Sequence, residues 1–211
     1  MDSVLQAINE HKIISIIRAD ADADLQQVID SLYAGGVRIL EITMNTPGAL
    51  DAIKTVKQRY PDILVGAGTV LDSETVRLAI LAGASFLLAP TLNEAAIITA
   101  NRYNVPIIPG VLTPTEVVRA SELGAKVVKI FPVSTLGPTY IKDLKGPLAQ
   151  IEMIPVGGVT TDTAIDFLEA GSFALGVGSP IVDKNLVKQK NFAEIQRRAE
   201  EMVKIVGGYN R

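Results

Sequence analysis

The feature that most restricts the fold of this chain is a rhythm of short apolar runs, rich in Val and Ile, separated by stretches with helical spacing. The runs are IISII (13–17), VRILEIT (37–43), ILVGAGT (63–69), SFLLA (85–89), VPIIPG (105–110), AKVVKIF (125–131), EMIPVGG (152–158) and SFALGVG (172–178). Between them apolar residues recur with helical spacing, as in Leu25, Val28, Ile29 and Leu32 or Val76, Leu78, Ala79, Leu81 and Ala82. Several of these stretches close on glycine: AGG at 34–36, AGA at 82–84, LGA at 123–125 and AGS at 170–172. Strands joined through helices pair in parallel, and a strand apolar on both faces needs cover on both. Eight such units predict an α/β chain folded as a single-domain (β/α)8 TIM barrel over residues 1–211. Residues 2–11 are expected to form a short helix closing the bottom, and 191–206 the last outer helix. The rival is an open doubly wound sheet. Against it, no GxGxxG turn follows the first run, and the glycine-rich strand ends fall late, where barrels place a phosphate site.

Composition narrows the function. A chain of 211 residues buries about 70% of the surface it exposes when unfolded, enough for one sizeable core. Its 20 Lys and Arg are nearly balanced by 23 Asp and Glu, without a basic block or aromatic-basic interleaving, so nucleic acid is not an expected partner. No stretch reaches the about 18 uninterrupted apolar residues of a membrane span, and the start MDSVLQAINEHKI lacks the basic-then-apolar order of a signal peptide. The expected location is the cytoplasm. With no Cys, thiol nucleophiles and thiolate metal sites drop out; with His11 the only histidine, so do a multi-histidine metal site and a Ser-His-Asp triad within one chain. His11 itself reads as a surface or helix-end residue.

Lys129 is the residue that the apolar pattern does not explain. It lies between Val127, Val128, Ile130 and Phe131, where an unpaired ammonium costs several kcal/mol and tends to lose its proton. Strand alternation sends Val127, Lys129 and Phe131 to one face, and the same count on the second run groups Ile39, Glu41 and Thr43. If these faces look into the barrel, an amine and a carboxylate share its C-terminal mouth. Further polar residues fall at equivalent ends: Arg18 after the first run, Thr69 in GAGT, Pro90, Thr91 and Asn93 after the fourth, and Thr113 after the fifth. A structural ion pair or a snorkelling lysine is the plainer reading of Lys129 alone. The chemical reading needs a depressed pKa: a free lysine is neutral in about one copy in 2,500 at pH 7, and a shift to about 8 raises that to about a tenth. Apolar neighbours push that way, which is the environment of a Schiff-base lysine. Gly157, Gly158 and Thr160 at the seventh strand end, and Gly176, Gly178 and Ser179 at the eighth, offer close-approach backbone N–H groups suited to a phosphate dianion.

These motifs resemble, over essentially the whole chain, the 2-keto-3-deoxy-6-phosphogluconate (KDPG) and 4-hydroxy-2-oxoglutarate aldolases. AGGVRILEIT, VGAGTVL, FLLAPTLNE, VPIIPGVLTPTE, VVKIFPVSTLGPTYIKDLKGP, IPVGGVT and GVGSPIV occur in that family's order. The resemblance implies a class I aldolase in a (β/α)8 barrel, a homotrimer needing no metal or cofactor, acting on a phosphorylated keto sugar acid. Lys129 matches the Schiff-base lysine and Glu41 the catalytic glutamate. Arg18, with Thr69 in support, is assigned to the substrate carboxylate; Pro90 and Phe131 complete the implied pocket, and Gly157, Gly158, Gly178 and Ser179 the phosphate end. Many members have an arginine where this chain has Asn45, and Arg18 matches one found in galactonate-type relatives, so the sugar epimer stays open. Oxaloacetate decarboxylation is a related activity. The rival functions are a phosphosugar isomerase or epimerase on the same barrel, and a non-catalytic sugar-phosphate binder.

Overall fold

The computed structural model describes residues 3–209. Elements alternate as the apolar rhythm predicts: α1 (Ser3–His11), β1 (Ile13–Ile17), α2 (Leu25–Ala34), β2 (Ile39–Thr43), α3 (Ala49–Arg59), β3 (Leu64–Gly68), α4 (Ser73–Ala82), β4 (Leu87–Leu88) and α5 (Glu94–Arg102). There follow β5 (Ile107–Ile108), β6 (Gly110–Val111), α6 (Pro114–Glu122), β7 (Val127–Ile130), α7 (Gly137–Lys145), β8 (Glu152–Pro155), α8 (Ala164–Glu169), β9 (Leu175–Val177), α9 (Lys184–Lys188) and α10 (Phe192–Gly207). Each of the eight runs carries a strand. The last helix begins and ends one residue later than expected, and the short α9 was not anticipated. Of the expected helix at 2–11, residue 2 lies outside the described residues. Among the described residues no helix is long and apolar enough to cross a membrane.

All strand pairs are parallel, but they do not form the single eight-stranded ladder expected from the sequence. A six-stranded sheet runs β5-β4-β3-β2-β1-β9, and a three-stranded sheet runs β6-β7-β8. The physical reason for the break is Pro109: lacking an N–H, it splits the fifth run into β5 and β6, which serve different sheets. At the other seam a lone bridge joins Val156 to Gly176, and Phe173 N donates to Met153 O at 2.8 Å.

Two buried clusters follow from strand alternation. Val28, Leu32, Leu40, Ile42, Val128 and Ile130 belong to the layer between strands and helices. Ile14, Ile39, Phe86, Leu88, Ile108, Val127 and Ile154 form a second cluster that Leu5 and Ile8 of α1 join. The second is the interior face of the curled strands, and α1 closes one end of it. Helix starts are fixed by side-chain caps. Asn93 accepts from Ala96 N at 2.8 Å, and Thr113 forms a capping box with Glu116. Those two polar residues at the strand ends are therefore occupied in holding helices. His11 ends α1 and is exposed.

Candidate active site

The alternation that builds the inner cluster also places the polar pair. Ile39 and Val127 pack inside, so Glu41 and Lys129, each two residues further toward the strand C-terminus, share their face. Glu41 is 1% and Lys129 5% exposed. Gly68, on the neighbouring strand, is what admits the carboxylate: a Cβ there would stand 1.7 Å from Glu41 Oε1. Level with Lys129 in the adjacent strand is Gly110, where a Cβ would meet the Pro90 carbonyl carbon at 2.4 Å. Glycine at these two positions leaves room that any side chain would fill.

Burial sets the electrostatics. Desolvation pushes the Lys129 pKa down from 10.5; Glu41 opposes that shift, and Arg18 adds to it. Desolvation likewise raises the Glu41 pKa, against Lys129 and Arg18. Both partners thus move toward their neutral forms, and the uncharged amine is easier to reach than in a free lysine. The pair interacts without being locked: among the described residues no Lys129–Glu41 ion pair has N and O within 4.0 Å, and Glu41 Oε2 accepts no hydrogen bond. Lys129 Nζ lies 4.7 Å from the centroid of the Phe131 ring, which walls the amine on that side.

Arg18 follows β1 on the face of Ile14 and Ile16 and is exposed. Its backbone neighbour is held: Ala19 N donates to Thr46 Oγ1 at 3.2 Å, and Thr46 Oγ1 lies 3.1 Å from Thr43 Oγ1, with Thr43 0% and Thr46 3% exposed. This buried hydroxyl pair ties the segment bearing Arg18 to the strand bearing Glu41. Asn45, between them in sequence, is exposed. Arg18, Phe131, Gly157, Gly158, Gly178 and Ser179 border one cavity of about 240 Å³, together with Gly176 and Lys184. Gly157 and Gly158 have φ of 83° and 101°, a region side chains avoid, so these turns need glycine. Thr69 and Pro90 do not border that cavity. Thr69 directly follows Gly68, and Pro90 lies against Gly110. Thr69 has φ 56°, a costly conformation for a β-branched residue. The sequence reading missed Gly68, Gly110, Thr46 and Lys184. The period-two spacing of Gly66 and Gly68 on the face of Glu41 carried a signal for the first; the others have no local signature.

A parallel α/β fold with a buried, pKa-depressed lysine that interacts with an unbonded glutamate, and with Phe131 standing between that lysine and a glycine-lined cavity bordered by Arg18, defines the class: an enzyme-like site built for amine chemistry on a small anionic carbonyl compound. Comparison with known proteins makes this specific. The profile of the family described as KDPG and KHG aldolase matches residues 4–198, and the chain belongs to that family. It is 35% identical over 204 residues to the 2-dehydro-3-deoxy-phosphogluconate aldolase of Haemophilus influenzae, covering 96% of each chain. With the enzyme of that name from Pseudomonas aeruginosa it shares 34% over 193 residues, 91% of this chain and 88% of the relative. Among solved structures, the KDPG aldolase of Legionella pneumophila, crystallised with pyruvate captured at low pH as a covalent carbinolamine intermediate, superposes with a TM-score of 0.87 at 27% identity. That match covers 94% of this chain and 97% of the other. A native KDPGal structure matches with a TM-score of 0.83 at 31% identity, covering 92% and 93%.

Proposed function

We propose that the chain is a class I aldolase that cleaves 2-keto-3-deoxy-6-phosphogluconate to pyruvate and glyceraldehyde 3-phosphate through a Schiff base on Lys129. The observation that carries this reading is the burial of Lys129 and Glu41 on one face with both pKa values displaced toward neutrality. Neutral Lys129 attacks the C2 ketone, the carbinolamine loses water, and the resulting iminium accepts the electron pair of the C3–C4 bond as it breaks. Glu41, directly or through a water, takes the C4 hydroxyl proton and then returns a proton to the enamine carbon. Hydrolysis of the imine frees pyruvate and the lysine. One carboxyl group acting as base and then acid needs a pKa above the ordinary carboxylate range, the direction that burial gives Glu41.

Arg18, with Thr69, holds the substrate carboxylate. Phe131 and Pro90 wall the reacting centre, and Gly157, Gly158, Gly178 and Ser179 receive the phosphate, which lends binding energy to orientation. The two sheets act as one closed (β/α)8 barrel formed by residues 1–211 as a single domain, a reading supported by the Val156–Gly176 bridge and by the continuity of β5 and β6 through Pro109. The working form is a homotrimer, favoured by Leu78 and Leu81 of α4, Ile98 of α5 and Val118 of α6, which are 51%, 63%, 49% and 38% exposed. A cytoplasmic location suits a chain without Cys.

Incubation with pyruvate and borohydride tests the covalent step. Reduction fixes the imine as an added mass on Lys129; an unmodified lysine would argue for isomerase or epimerase chemistry on the same fold. A second reading, the galactonate epimer as substrate, is favoured by the likeness to the native KDPGal structure at 31% identity. Pyruvate release from the two epimers at equal concentration decides between them.

A further inference from the structure

Among the described residues, two cationic side chains border the cavity over the late glycines, Arg18 and Lys184, and no acidic residue does. In the reading above Arg18 serves the substrate carboxylate, which leaves a phosphate at the glycines facing only neutral N–H and hydroxyl groups on the protein side. A dianion in a cavity walled by Phe131, Val156 and Val159 calls for a compensating charge. We propose that Lys184 supplies it, and is the residue that makes the site select phosphorylated over unphosphorylated keto sugar acids. This inference rests on the reading in which the phosphate occupies these glycines.

The placement of Lys184 fits a mobile charge on a fixed base. It opens α9, whose start is set by Asp183 accepting from Asn185 N at 2.8 Å and Leu186 N at 3.2 Å. Val182 and Val187, on either side, are buried, so the backbone at 184 is anchored. The side chain is free by contrast: it is 61% exposed and meets Asp20, itself 70% exposed, at 3.3 Å. An exposed pair of this kind holds weakly and is screened by salt. A phosphate arriving at Gly178 and Ser179 offers two negative charges in a less hydrated setting, so the ammonium leaves Asp20 for the ligand. As a flexible point charge, lysine suits a phosphate whose orientation the glycine N–H groups already fix.

The test compares the phosphorylated substrate with 2-keto-3-deoxygluconate, the same skeleton without phosphate, in Lys184→Ala. The KM for the phosphorylated substrate rises about tenfold, equivalent to about 1.4 kcal/mol, while that for the unphosphorylated one moves less than about twofold. The inhibition constant of inorganic phosphate as a competitor rises in parallel. Lys184→Arg keeps most of the preference, and Lys188→Ala, on the same helix but outside this cavity, changes neither KM. No change in the phosphorylated KM, or an equal rise for both substrates, overturns the role of Lys184. If the unmutated protein neither prefers the phosphorylated substrate nor responds to inorganic phosphate, the phosphate reading of the glycines fails first, and the proposal with it.

Discussion

Replacing Gly68 with alanine puts a methyl carbon where the Glu41 carboxyl now lies. The added Cβ would stand 1.7 Å from Oε1, 2.4 Å from Cδ and 2.6 Å from Cγ of Glu41, against ordinary contact at 3.4–4 Å. The carboxyl must therefore retreat by about 1.7 Å. A misplacement of about 1 Å at a reacting group costs about a hundredfold in rate, so kcat falls by about 10²–10³, or about 3–4 kcal/mol of barrier at 1.36 kcal/mol per tenfold. Stability suffers less. Gly68 does not sit at positive φ, so alanine is compatible with its backbone and gains about 0.4–1 kcal/mol through the unfolded chain. Crowding costs about 1–3 kcal/mol, so the net cost is about 0–2.6 kcal/mol and Tm falls by at most about 10 °C at about 2–4 °C per kcal/mol. The assay is coupled pyruvate release alongside a melting curve. Glu41→Asp in the Gly68→Ala background retracts the carboxyl by one methylene and recovers part of the loss, so the two changes are non-additive. Turnover of Gly68→Ala within about threefold of the unmutated protein, or simple additivity in the double variant, would refute the steric argument.

Three further outcomes follow from the same geometry. The folded-state pKa of Lys129 is depressed, so the stability linked to this group is fully present above its unfolded value of 10.5 and is lost as pH falls through the folded value; Lys129→Met therefore raises the urea midpoint at pH 7 while abolishing turnover, and the gain shrinks toward pH 10.5. A midpoint at pH 7 that stays put or drops contradicts the burial argument. Thr46→Val keeps the shape but leaves the Ala19 N–H without its acceptor, costing about 1–3 kcal/mol and loosening Arg18. The KM for pyruvate in enamine formation then rises more than kcat falls, and Thr46→Ser restores it; equal effects on both parameters would count against a tie between Arg18 and Glu41. If the proposed homotrimer forms through the exposed apolar face of α4, Leu81→Lys at its most exposed apolar position yields a sedimenting monomer without loss of circular dichroism, whereas a species unchanged by the substitution moves the interface elsewhere.

What could be read from the residues, and what could not, divides along physical lines. Eight apolar runs with helical spacers state a parallel α/β chain because burial on both faces is written into every strand, and strand parity alone carries Glu41 and Lys129 to one face. Parity says nothing about depth. Whether Lys129 is dry depends on Phe131 beside it and on Glu41 lying beyond ion-pair distance, and those depend on strand stagger, which no local pattern encodes. Pro109 shows the limit from the other side. One imino acid inside an otherwise ordinary run divides the ladder between two sheets, because hydrogen-bond capacity, unlike hydropathy, is lost at single residues. Lys184 and Thr46 were illegible for a third reason. An exposed lysine and a buried threonine are each common, and only the meeting of β1 with the segments after β2 and β9 gives them neighbours worth naming. Contacts between loops that are distant in sequence are where such sites are tuned, and the charge that Lys184 exchanges between Asp20 and a ligand belongs to that level.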